Sequence, residues 1–173
     1  SYKYLSKSVN SFNYKNVFSF RLAASDTKQK LPLYISKDNR GDNRLYSTNQ
    51  KRSSIIVNCL TVDELLKETK IENLNLIKID VQGYEPKVLK GMKNIVKSSK
   101  ELTILTEFWP KGILEAGENP KEFLMMMRKM QFQLYELKRN GSLVILKPNE
   151  DNKFIEKYGG RKYTNIIGKK LSL

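Results

Sequence analysis

Residues 76–91 read LIKIDVQGYEPKVLKG. An apolar run (Leu76, Ile77, Ile79) stops at a carboxylate, Asp80, and a polar turn at Gln82-Gly83 follows. Glu85-Pro86 then opens a stretch in which Val88, Leu89, Met92, Ile95 and Val96 recur at helical spacing. Proline suits the first helical turn, where its missing N–H has no partner to lose. The apolar stripe predicts one helix lying on a sheet. Strand, turn and helix in succession form the repeating unit of an α/β fold. Open α/β sheets bind ligands at the C-terminal ends of their strands, and the pattern puts Asp80 at such an end.

The flanking sequence extends the unit in both directions. Upstream, residues 2–15 carry Tyr4, Leu5, Val9 and Phe12 on one helical face. Residues 17–24 (VFSFRLAA) predict a strand stopped by Ser25-Asp26. Leu31–Ile35 predicts a second strand and Ser54–Leu60 a third. Between them, residues 36–54 are polar and rich in turn formers, a loop long enough to serve a site. Thr61 caps a short helix, with Glu64 three residues on completing a capping box. Downstream, Leu102–Phe108 predicts a strand that carries Glu107 near its end. A helix starts at Asn119-Pro120, with Phe123, Leu124, Met127 and Met130 as its core face. Three more strands (133–137, 142–146 and 164–168) close the chain, the first two joined by an Asn140-Gly141 hairpin turn. The expected fold is α/β: a Rossmann-like, mostly parallel sheet with antiparallel strands at its C-terminal edge.

Composition narrows the chemistry. The 173 residues contain no histidine and one cysteine, Cys59. Ser-His and Cys-His catalysis, histidine-zinc sites and an intrachain disulfide are thereby excluded. Base chemistry falls to Asp, Glu, Lys or Tyr. Cys59 sits in an apolar run and reads as a small core residue. The net charge of +14 is spread along the chain and comes mainly from lysine, with 25 Lys against 7 Arg. Nucleic-acid readers favour arginine for bidentate contacts, so nucleic acid is not the expected partner. No apolar run reaches the ~20 residues of a membrane span, and a cytoplasmic protein is expected.

Four segments resemble the FkbM family of class I methyltransferases. They are Leu22-Ala23-Ala24-Ser25-Asp26 after a strand, Leu60-Thr61-Val62-Asp63-Glu64-Leu65-Leu66, Lys78-Ile79-Asp80-Val81-Gln82-Gly83-Tyr84-Glu85 with Val88-Leu89-Lys90-Gly91, and Leu105-Thr106-Glu107. The third is specific; the others are short but stand in the family's order. The resemblance implies methyl transfer from S-adenosyl-L-methionine to a hydroxyl of a sugar, glycan or other small metabolite. It implies Asp80, Glu85 and Glu107 as catalytic carboxylates and Gln82, Gly83 and Tyr84 on the acceptor side. It implies Asp26, with Ser25 and Ala24, on the adenine side of the cofactor. Each has a structural alternative: Asp26 as a turn cap, Glu85 as a residue favoured at a helix N-terminus, Glu107 as a solvent-facing or lysine-paired acid. Asp63 reads as structural. No metal ligand set is identified.

Two departures from the family pattern stand out. Gln82 occupies a position where the family usually carries Glu, which removes one negative charge; any cation shared by carboxylates there would be held less well. No G-x-G occurs in the chain, and Gly41 is the only glycine before residue 80. The Gly-rich loop that holds the methionine part of the cofactor in class I methyltransferases is thus not among these residues. The expectation is a single domain over 1–173 that lacks the first two strands of the fold and binds S-adenosylmethionine weakly by itself. A non-catalytic binding module for an anionic partner is the alternative. A nucleotide-sugar enzyme is disfavoured by the missing G-x-G-x-x-G. The acceptor would be chosen by residues 36–54 and 109–119.

Overall fold

A computed structural model describes residues 2–39, 41–48 and 51–171. Helix α1 (Tyr2–Ser11) leads into three strands, β1 (Ala23–Ala24), β2 (Gln29–Ile35) and β3 (Ser53–Leu60). These form a sheet of their own, in the order β1-β3-β2. Helix α2 (Val62–Glu68) and strand β4 (Leu76–Ile79) follow, then α3 (Glu85–Lys90) and α4 (Lys93–Ser98). Strand β5 (Thr103–Phe108), α5 (Pro110–Glu115) and α6 (Pro120–Lys129) come next. The chain ends with β6 (Phe132–Leu137), β7 (Leu143–Ile145), α7 (Asp151–Lys157) and β8 (Thr164–Lys170).

The larger sheet has five strands in the order β4-β5-β8-β6-β7. The architecture is mixed α/β with antiparallel C-terminal strands, as expected. Parallel pairing is confined to β4–β5 here and to the short β1–β3 ladder. β8 lies between β5 and β6, antiparallel to both, so the last strand made is central. Its neighbours show why it can sit there. β5 alternates half-buried and fully buried positions, with Ile104, Thr106 and Phe108 inward. β6 does the same with Phe132, Leu134 and Glu136. Gly168 of β8 leaves room for Met127 and Phe132, whose atoms would lie 2.9 and 3.3 Å from an added Cβ.

The helices cover this sheet. The stripe Val88, Leu89, Met92, Ile95 and Val96 is buried as the spacing requires, each at 5% exposure or less. It is carried by two helices, not one. Gly91 ends α3, and an added Cβ there would lie 2.1 Å from the Ser25 carbonyl oxygen. That close approach fixes a break in the helix. Asp63 then restarts it: its two carboxylate oxygens accept from the Asn94 and Ile95 N–H groups at 2.9 Å. The expected capping box at Thr61 and Glu64 is present. Phe123, Leu124 and Met127 of α6 are buried with Phe108 and Phe154 in the same core, and Cys59 is buried at the end of β3. Burial of each such side chain is worth about 1.5–3 kcal/mol.

One strand is shorter than its sequence predicts, and two helices are not predicted by it. The strand expected over 17–24 survives only at Ala23–Ala24, because β3 offers it a ladder only at Cys59 and Leu60. Phe18, Phe20 and Leu22 are exposed instead. Helices α5 and α7 lie in stretches that show too short an apolar period to be read. Among the described residues no helix is long and apolar enough to cross a membrane.

Candidate functional site

β4 and β5 run side by side, with Ile79 paired to Thr106, so the residues that follow them emerge at one sheet end. Asp80 and Gln82 come from the first strand's exit and Glu107 from the end of the second. The turn after β4 is tight: Gln82 and Gly83 adopt φ of 56° and 99°. In that conformation the Gln82 side-chain nitrogen donates to both acids, to Asp80 Oδ1 at 3.0 Å and to Glu107 Oε2 at 3.2 Å. A neutral amide thus stands between two carboxylates. A glutamate in its place would bring a third negative charge to the same point. Among the described residues no group of His, Cys, Asp or Glu is arranged to hold a metal ion.

Gln82 and Glu107 open onto a cavity of about 960 Å³. The segments expected to choose the acceptor both supply its walls: Asp42 and Arg44 from the loop after β2, Trp109 and Glu115 from the start and end of α5. Arg44 ties them together. It donates to Asp42 at 2.6 Å and to Glu115 at 3.0 Å, and its guanidinium lies 4.8 Å from the Trp109 ring centre. Tyr46, next along the loop, donates its hydroxyl to the Gln82 carbonyl. Two glycines set the remaining spacing. An added Cβ on Gly83 would lie 2.4 Å from the Gly112 carbonyl carbon, and one on Gly112 would lie 2.1 Å from the Trp109 ring. The turn after β4, the first turn of α5 and the indole therefore touch directly. The Trp109 N–H donates to the Gly160 carbonyl at 3.1 Å and fixes the ring's outer edge.

The carboxylates differ in electrostatics. Burial, reinforced by the nearby charges of Asp80 and Glu85, pushes the Glu107 carboxyl up to about 7. Asp80 is exposed, and the Lys78 ammonium 2.7 Å away holds its carboxyl below the ordinary value. Glu85 is fully buried and is not on the cavity wall. Its Oε1 accepts from the Val81 N–H at 3.0 Å, so it buttresses the turn from behind. Its Oε2 is buried without a partner, and burial pushes the group up to about 7.

The other expected site residues fall away from the cavity. Tyr84 is buried, its hydroxyl 3.4 Å from Ser25 Oγ. Gly83 is buried against Gly112, so its role is conformational. Ser25 has no exposed surface, and Ala24 is in the β1 ladder. Asp26 is half-buried and pairs with Lys87 at 3.1 Å. Of the expected site residues, Gln82 and Glu107 line the cavity, with Asp80 bonded to Gln82 beside them. Arg44, Trp109, Glu115 and Tyr163 were not singled out by the sequence. A lone tryptophan beside a strand-end carboxylate was the available signal.

The model of the methyltransferase FkbM domain matches residues 3–137, and the chain belongs to that family. Over 100 residues it is 29% identical to the hexuronic acid methyltransferase AglP of Haloferax volcanii. That match covers 57% of this chain and 38% of the relative. No solved structure matches the chain.

The cofactor that the sequence resemblance implies is S-adenosylmethionine. It would supply an electrophilic methyl group on a sulfonium. Asp26, expected on its adenine side, is half-buried and paired with Lys87 at 3.1 Å. The chain shows no glycine cradle for the rest of the molecule.

Proposed function

We propose that this chain carries the acceptor side of an S-adenosylmethionine-dependent O-methyltransferase whose substrate is a hydroxyl on a sugar or glycan. The observation that carries the proposal is Glu107: a half-buried carboxyl on the wall of a cavity, with its titration moved to about 7. A base is most effective when its pKa lies near the working pH. Glu107 would accept the hydroxyl proton, while Gln82 holds the carboxylate in place through its amide hydrogen. Asp80 keeps a fixed negative charge beside it. Trp109 lines the cavity, whose size suits a small ligand. The relative's printed substrate, a hexuronic acid, is of the same class.

The test is methyl transfer by the intact protein to uronic acid-containing and neutral glycans, with radiolabelled methyl donor. Glu107→Gln should lower kcat by about 10²–10⁴ while donor binding is retained. Asp80→Asn should also lose transfer. Full turnover by Glu107→Gln would remove it from the reaction.

A further inference from the structure

A second cleft of about 840 Å³ adjoins the Glu107 cavity, and Arg161 and Tyr163 line both. Its charge is one-sided. Lys138, Arg139, Lys157, Arg161 and Lys162 face a single carboxylate, Glu136. Glu136 is already committed: it accepts from Lys138 at 2.7 Å, from Lys157 at 2.8 Å and from the Tyr158 hydroxyl. Arg139, Arg161 and Lys162 are exposed, and none has an ion-pair partner among the described residues. The cavity at Glu107 is different, since Arg44, Lys111 and Arg161 there meet Asp42, Glu107 and Glu115. A balanced cavity thus opens into a strongly cationic one.

We propose that this second cleft binds a diphosphoryl group, and that the acceptor sugar is presented attached to it. Three uncommitted cations line the cleft together with Thr164 and Asn165, whose polar groups add further hydrogen-bonding capacity. A single carboxylate would leave most of that charge uncompensated, whereas a diphosphate carries several charges and many acceptor oxygens. Arginine binds phosphoryl oxygens in bidentate fashion. Arg161, shared by both spaces, marks the junction between the anion and the sugar. The link to the acceptor rests on the reading of the Glu107 cavity above; diphosphate binding itself does not, and can be measured without methyl transfer.

The experiment is calorimetric titration of inorganic pyrophosphate into the whole chain, with fluorescence of its one tryptophan, Trp109, as a second signal. Saturable binding is expected, weaker as ionic strength rises. Arg139→Glu with Lys162→Glu should weaken it at least about tenfold. Lys3→Glu with Lys7→Glu, on exposed positions of α1, makes the same change in net charge and should leave it intact. Arg139→Gln with Lys162→Gln serves if the reversed pair fails to fold by circular dichroism. Equal loss in the α1 control, or none in the cleft variants, would overturn the proposal. So would binding of glucuronate in preference to pyrophosphate. A nucleoside diphosphate that binds more tightly than pyrophosphate would identify a soluble, nucleotide-linked acceptor. Cleft-dependent sedimentation with vesicles that carry a polyprenyl diphosphate, and not with phosphatidic acid vesicles of equal charge, would identify a lipid-linked one. Either supports the shared chemistry.

Discussion

Replacing Glu85 by glutamine gives the most direct measure of what the buried turn after β4 costs the protein. Glu85 is fully buried, one carboxylate oxygen has no partner, and the carboxyl is moved from 4.5 to about 7. That displacement corresponds to about 3 kcal/mol of differential stability between the two protonation states. The folded state binds the proton more tightly than the unfolded one. Between roughly pH 4.5 and 7 the native protein therefore carries the extra proton, and stability falls as pH rises through this window. Above about 7 the full penalty is present. Glu85→Gln keeps an oxygen to accept from Val81 and removes the ionisation, so its stability should lose this descent. Urea unfolding of both proteins from about pH 5 to 8 should show their difference changing by about 2.5 kcal/mol. Glu107, whose carboxyl is raised partly by the Glu85 charge, should titrate lower in the variant. Parallel stability curves for the two proteins would refute the reasoning.

The site and the core yield further expectations. If Glu107 is the base, kcat/KM should climb with pH and level off above about 7, with the ascending limb absent from Glu107→Gln; a flat wild-type profile argues against it. Gly83→Ala should cost about 2 kcal/mol or more, because its φ is 99° and the new methyl would meet the Gly112 backbone; thermal unfolding measures this. Asp151→Ala should cost about 3 kcal/mol, since it strands the Arg128 guanidinium that it receives at 2.6 and 2.7 Å; denaturant unfolding checks it.

The stretch 76–91 showed a strand, a turn and a sheet-facing stripe because these depend on neighbours in sequence. The break at Gly91 was hidden, since its cause is the Ser25 carbonyl, 66 residues earlier in the chain. Glu107 was legible as an acid at a strand end. The role of Glu85 was not, because burial of a carboxylate is decided by what folds over it. The cavity wall around Arg44 and Trp109 was likewise hidden: its cation–aromatic contact joins a loop after β2 to the start of α5.

The contact between Gly83 and Gly112 has a consequence for traffic in and out of the cavity. With no side chain between them, the turn after β4 and helix α5 meet backbone to backbone, and the Trp109 ring is seated on the same glycine. These two walls are packed directly against each other. The opposite wall is joined to α5 by the Arg44–Glu115 ion pair, a bond that salt can loosen and a helix need not bend to release. Of the two contacts that hold the cavity walls together, the one between the Arg44 loop and α5 is thus the more sensitive to salt, and the glycine contact the less.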